Sequence, residues 1–213
     1  MRLSHRYKFI FFAAPKTGSK SIRGLLNPLN DVPDQRFSTR TLENPFYTHI
    51  RPIEVQDVFT QRGWAFNQYY RFVFVRNPWV RMMSLYQMIR HEDPAYTASF
   101  GGWLHSAKPG GEGGGGNPAE KWRHYGTYSL ENFAGDESGQ LLVNDVFRME
   151  DIDSVPDKLR ERGIPIPYDA PMPWYHRTDA QTAMPYYYTP ELIDLVAERY
   201  AAEIEQFKYR YPG

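Results

Sequence analysis

The chain has 213 residues, enough for one domain with a continuous core. Lys plus Arg number 25 and Asp plus Glu number 25, so no overall field draws in nucleic acid or an anionic membrane, and any anion site must be a local cluster. The absence of cysteine excludes disulfides, thiolate metal sites and Cys nucleophiles.

Taken in order, the first apolar run is Phe9 to Ala14, too short for a bilayer span or the core of a signal peptide. No membrane span is expected, and a cytoplasmic protein is. Residues 8–12 (KFIFF) and 71–75 (RFVFV) lack polar alternation, as strands covered on both faces do. Each precedes a turn signal and a helical pattern, Ser19 to Leu26 and Trp79 to Arg90. Between them Phe46 to Ile50 reads as a strand, and Ile53 to Arg62 as a helix closed by Gly63. Asp145 to Met149 predicts a later strand, followed by a helix over Asp157 to Arg162 that Gly163 closes. Thr189 and Pro190 are a cap and first position for a last helix, whose face carries Leu192, Val196, Tyr200 and Phe207. Strand, turn and helix alternate, which predicts an α/β fold, one domain over 1–213 with a central parallel sheet flanked by helices. Pro109 to Pro118 (PGGEGGGGNP) reads as a flexible surface loop, an insertion in preference to a lid.

The strongest local signal is Ala14-Pro15-Lys16-Thr17-Gly18-Ser19-Lys20-Ser21, between the first strand and the first helix. A helix N-terminus offers unpaired N–H groups and a dipole that favour an anion. Gly18 permits close approach, Thr17, Ser19 and Ser21 add hydroxyls, and Lys16 adds a mobile charge. A plain β–α turn with a capping Ser is the alternative. A Walker A loop is not, because Ala13 stands where its first Gly belongs and Ser19 separates Gly18 from Lys20. No strand ends in an Asp suited to Mg²⁺, so the loop suits a phosphate-like group held without metal.

The second signal is residues 72–86, FVFVRNPWVRMMSLY. Arg76 sits at a strand's C-terminal end, where open α/β sheets bind ligands. Ser84 lies about two helical turns beyond Pro78, and the two side chains suit one dianionic phosphate. A surface salt bridge for Arg76 and a packing role for Ser84 are the alternative.

The two segments together resemble the 5′-phosphosulfate and 3′-phosphate motifs of sulfotransferases that use 3′-phosphoadenosine 5′-phosphosulfate (PAPS). The likeness is closer to the branch holding heparan sulfate 2-O-sulfotransferase and the carbohydrate sulfotransferases, with their bacterial relatives. VFRMEDI and the stretch YYTPELIDLVAERYAAEIEQFKY extend it, while Tyr96 to Tyr128 is its weakest part. Lys20 and Val80 depart from the family pattern. The resemblance implies a single P-loop-like domain whose Pro15, Lys16, Thr17, Gly18, Ser19, Lys20 and Ser21 hold the 5′-phosphosulfate. It implies Arg76 and Ser84 at the 3′-phosphate, Arg177 closing over the nucleotide, and adenosine 3′,5′-bisphosphate as product.

In-line sulfuryl transfer rests on positioning and charge stabilisation, which Lys16 and the loop amides supply without a metal. The acceptor must lose a proton, and of six histidines His49 is the candidate base. It follows the expected strand over Phe46 to Ile50, and related sequences carry a His at the matching place; a helix-capping His is the alternative. The expected acceptor is a small molecule or carbohydrate presenting a hydroxyl or amine. Two rival functions remain, a P-loop-like nucleotide kinase or NTPase and a non-catalytic binder of sulfated or phosphorylated ligands.

Overall fold

The computed structural model describes residues 1–107, 122, 124–173 and 180–212. In chain order the elements are β1 (Arg2–Ser4), β2 (Phe9–Phe12), α1 (Ser19–Leu26), α2 (Pro52–Gln61), β3 (Tyr70–Val75), α3 (Pro78–Glu92) and α4 (Phe100–Ser106). Then come α5 (Leu130–Ala134), β4 (Asp145–Arg148), α6 (Val155–Glu161), α7 (Ala180–Ala183), α8 (Pro190–Arg199) and α9 (Ala201–Phe207), with short 3₁₀ turns between them. The chain divides into two compact units, Met1–Val75 with Phe133–Tyr175, and Arg76–Asn132 with His176–Gly213. The predicted glycine-rich loop and Arg177 lie outside the described residues. Among the described residues no helix is long and apolar enough to cross a membrane.

The first unit holds the sheet, in the order β1-β2-β3-β4. β2, β3 and β4 run parallel, with Phe11 opposite Phe72 and Phe74 opposite Phe147. An α/β fold with a mostly parallel sheet is therefore what the chain forms. Because successive side chains point to opposite faces, Phe9, Phe11, Phe72 and Phe74 share one face. They pack with Ile22, Leu25 and Leu26 of α1 and with Val155 and Leu159 of α6. Each such fully buried side chain is worth roughly 1.5–3 kcal/mol, so this layer fixes where α1 begins. Gly63 and Gly163, with φ of 67° and 82°, close α2 and α6 in the left-handed conformation that suits glycine.

Two features differ from the sequence reading here. β1 pairs antiparallel with β2 at the sheet edge, through a tripeptide, Arg2-Leu3-Ser4, too short to carry a strand signal. The expected strand over Phe46 to Ile50 is a single parallel bridge, Gln35 to Tyr47, followed directly by a turn at Thr48 and His49. Pro45 offers no N–H to a ladder, and Asn44 and Thr41 bond each other instead.

The second unit is built around α3, whose residues Pro78 to Tyr86 are all buried. Asn77 caps α3 by accepting the Val80 N–H at 3.4 Å, and its own amide donates to the Arg210 carbonyl at 2.8 Å. Trp79 Nε1 donates to the Ile193 carbonyl at 3.0 Å, and the Tyr188 hydroxyl donates to the Trp79 carbonyl at 2.9 Å. α8 starts as predicted, with the Thr189 hydroxyl accepting the Leu192 N–H at 3.3 Å and Pro190 first in the helix. The helix does not continue to Phe207. It breaks at Tyr200, whose buried hydroxyl donates to the Thr127 carbonyl at 2.7 Å. The break turns the inner face, so Glu203 becomes buried and Phe207 only half-buried.

Candidate active site

In the first unit β2 delivers the chain into Ala13 and Ala14, both buried, and the loop then turns sharply. Lys16 has φ of 64° and Gly18 has φ of 76°, both left-handed. For a side chain such as lysine this conformation costs about 1–2 kcal/mol, which the surrounding structure must hold in place. Left-handed residues alternating within a loop are the backbone geometry from which anion-binding concavities are made. Gly18 caps α1, and its carbonyl accepts the Ser21 N–H at 3.0 Å and the Ile22 N–H at 3.4 Å. The N–H groups of Ser19 and Lys20 come before intrahelical partners begin.

The side chains of the loop divide the labour unevenly. Thr17 is buried and its hydroxyl donates to the Ala14 carbonyl at 2.9 Å, so it staples the turn and leaves its backbone N–H as its donor. Ser19 and Ser21 are buried, Lys16 is half-buried and Lys20 is exposed. A Cβ on Gly18 would meet the Met149 sulfur at 2.0 Å. The close approach that glycine permits is thus that of Met149, which follows β4 and packs over the loop.

His49 is half-buried, and its Nδ1 lies 2.6 Å from the carbonyl oxygen of Ala13. A carbonyl only accepts, so Nδ1 carries the hydrogen and the neutral ring keeps its lone pair on Nε2. The structure therefore brings His49 to the start of the loop. Its turn is locked from both sides. The Tyr47 hydroxyl donates to both Glu54 carboxylate oxygens, at 2.7 and 2.9 Å, and the Arg51 N–H donates to Glu54 at 3.0 Å. Thr48 donates to Asp34 at 2.9 Å. Glu54 is not singled out by the sequence analysis, although a Glu in the first turn of a helix, three residues beyond Arg51, is the signal that could have found it. Tyr47 and the Ala13 carbonyl had no sequence signal.

In the second unit Arg76 is half-buried and directly precedes the Asn77 cap of α3; Ser84 is buried on the same helix. Arg81 is buried two helical positions beyond Trp79. Its guanidinium donates to the Tyr128 carbonyl at 2.8 Å, lies 4.8 Å from the Tyr200 ring centre and 4.0 Å from Glu203. Glu203 also accepts the Leu130 N–H at 2.6 Å. Burial raises the Glu203 carboxyl above its ordinary value although Arg81 and that N–H oppose it, and burial pushes the Tyr200 hydroxyl up to about 12. This network ties α3 to the Tyr128–Leu130 segment and to α9. Trp103, Trp122 and Tyr128 are buried as well, which makes them packing residues.

Comparison with known proteins gives the pattern a context. No curated protein matches the chain. Among solved structures, the crystal structure of a sulfotransferase from Alicyclobacillus acidocaldarius aligns over 96% of this chain and 97% of its own, with 18% identity and a TM-score of 0.47. The model of the sulfotransferase family matches residues 1–134, a stretch that includes the Pro15–Ser21 loop, His49, Arg76 and Ser84. The chain belongs to the sulfotransferase family.

Proposed function

We propose that the protein moves a sulfuryl group from PAPS to an acceptor hydroxyl or amine by metal-free in-line transfer. The observation that carries this reading is the 2.6 Å bond from His49 Nδ1 to Ala13, which sets a histidine with its Nε2 lone pair at the mouth of a strained, lysine-bearing loop. The loop from Pro15 to Ser21 holds the 5′-phosphosulfate, through the backbone N–H groups of Thr17, Gly18, Ser19 and Lys20 and the hydroxyls of Ser19 and Ser21. Arg76 and Ser84 hold the 3′-phosphate, and Arg177 closes over the nucleotide.

His49 Nε2 takes the proton as the acceptor oxygen or nitrogen attacks sulfur. The bond from sulfur to the 5′-phosphate oxygen breaks, its electron pair stays on that oxygen, and adenosine 3′,5′-bisphosphate leaves. Lys16 stabilises the charge that grows there. Because His49 is tied to the backbone carbonyl beside the loop, base and leaving-group stabiliser keep their alignment without further ordering. The acceptor is a small molecule or carbohydrate.

The test is transfer of ³⁵S from labelled PAPS to a panel of hydroxyl and amine acceptors with EDTA present, beside direct binding of adenosine 3′,5′-bisphosphate. Tight binding and label transfer without Mg²⁺ are expected. Binding without transfer to any acceptor would indicate a non-catalytic binder. Preference for ATP with Mg²⁺ would indicate a nucleotide kinase or NTPase.

A further inference from the structure

A shallow cavity of about 240 Å³ runs along the outer side of α1, lined by Arg2, Lys20, Arg23, Gly24 and Asn27. We propose that it is a second oxyanion site, taking a carboxylate, sulfate or phosphate group apart from the donor loop.

Lys20, Arg23, Gly24 and Asn27 stand at i, i+3, i+4 and i+7, one stripe of the helix, while Ile22, Leu25 and Leu26 form the opposite, buried stripe. Arg2 of the edge strand closes the far wall. Among the described residues the lining has three cations and no carboxylate, in a chain whose total charge is zero. A local excess of this kind is a binding feature and not a consequence of composition.

The two arginines are held in place before any ligand arrives. Arg2 donates through Nε to Asn27 Oδ1 at 2.8 Å and through a terminal nitrogen to Asp34 at 2.7 Å. Arg23 stands 3.6 Å from the other Asp34 oxygen. Asp34 is thus one carboxylate shared by two guanidinium groups, and among the described residues none pairs with Lys20. The Arg23 Nε–H is buried without a hydrogen-bond partner. Burial lowers the Arg23 pKa, Asp34 opposes that, and Arg2 adds repulsion, so an incoming anion relieves a charge conflict already present.

Gly24 supports the same reading. Glycine inside a helix costs roughly 0.5–1 kcal/mol relative to alanine. Its effect here is a stretch of the groove that carries no side chain, beside Lys20 and Arg23. Lys20 then has two separable parts, a backbone N–H in the first turn of α1 and an ammonium in the groove.

The test uses Gly24→Glu, which places a negative charge in the groove, and Gly24→Gln as its neutral match. Both are better helix formers than glycine, so α1 is retained. Inorganic sulfate is titrated into wild type and both variants, with and without saturating adenosine 3′,5′-bisphosphate, following the amide resonances of Lys20 to Asn27. Wild type and Gly24→Gln are expected to bind sulfate at these resonances even with the nucleotide bound, and Gly24→Glu to bind about tenfold or more weakly. Equal affinity in all three proteins, or no sulfate binding at these resonances, overturns the proposal. Failure of the nucleotide to bind any of them counts against the donor assignment and leaves the sulfate readout intact. The source of the group follows from ³⁵S transfer to a glucuronate-bearing disaccharide and its neutral counterpart. Selective loss of the acidic one in Gly24→Glu assigns the group to the acceptor, and equal transfer assigns it to a free anion.

Discussion

The loop after β2 and the turn after β3 occupy equivalent places in the topology, each joining a parallel strand to a helix, yet they are built differently. The first relies on backbone. Two left-handed residues, Lys16 and Gly18, and a hydroxyl staple from Thr17 shape it, and its helix is capped by a glycine without a side-chain bond. The second relies on side chains. Asn77 caps α3 in the ordinary way, Pro78 fills the first position, and nine successive residues from Pro78 to Tyr86 are buried. A backbone cradle presents several N–H groups at once and suits a group whose charge moves during reaction. A rigid, buried helix presents single side chains at fixed points and suits a group that is only held. On the proposed function, the first region carries turnover and the second carries affinity.

The largest effect expected is that of His49→Ala, a fall in kcat of about 10²–10⁴-fold with donor affinity retained, measured by label transfer and nucleotide titration. His49→Gln should not restore the rate, because an amide cannot take the proton. Lys16→Ala comes next, with kcat down on the order of a hundredfold or more and a much smaller change in donor affinity. Arg76→Ala should show the reverse split, a donor Kd weaker by about ten- to a hundredfold with a milder fall in kcat at saturating donor. Equal losses in both parameters for Lys16→Ala and Arg76→Ala would break the division of labour between the two regions.

Gly18→Ala tests the backbone side of the comparison. The left-handed φ costs about 1–2 kcal/mol for any side chain, and the contact with Met149 adds to it. Met149→Ala in the same protein should return only the contact's share, which chemical denaturation of the single and double variants will measure. The smallest expected effect concerns the anchor of α3. The native state holds a proton on Glu203 more tightly than the unfolded chain does, so this group's contribution to stability falls as pH rises from the ordinary value of 4.5. Glu203→Gln removes that slope. Its denaturation midpoint, relative to wild type, should therefore improve as pH rises, and parallel pH profiles would show that Arg81 keeps Glu203 charged throughout.

Much of this was readable residue by residue. KFIFF and RFVFV marked β2 and β3 because fully covered strands lack polar alternation, and the polar cluster from Pro15 to Ser21 lay where α1 begins. The Thr189–Pro190 pair marked the start of α8. Gly101 and Gly102 hid α4, since two glycines in seven residues oppose a helix that the buried Phe100, Trp103 and Leu104 nonetheless hold. β1 was hidden because an edge strand of three residues takes its stability from its partner and not from its own pattern. For the site, residue types and spacing pointed to Lys16, His49, Arg76 and Ser84, while the means of holding His49 in place did not show.

What the sequence determines alone is local, because propensity, capping and apolar runs act over a few residues. It sets the alternation of strand and helix, the loop's composition and the presence of a capped α3. What the tertiary structure decides depends on partners distant in sequence. Ala13 fixes the tautomer of His49 across 36 positions, Tyr200 ends α8 by bonding to Thr127, and Met149 explains why residue 18 has no side chain. Each is a contact whose partner no local pattern names, and long-range contacts of that kind form only once the core has brought the segments together.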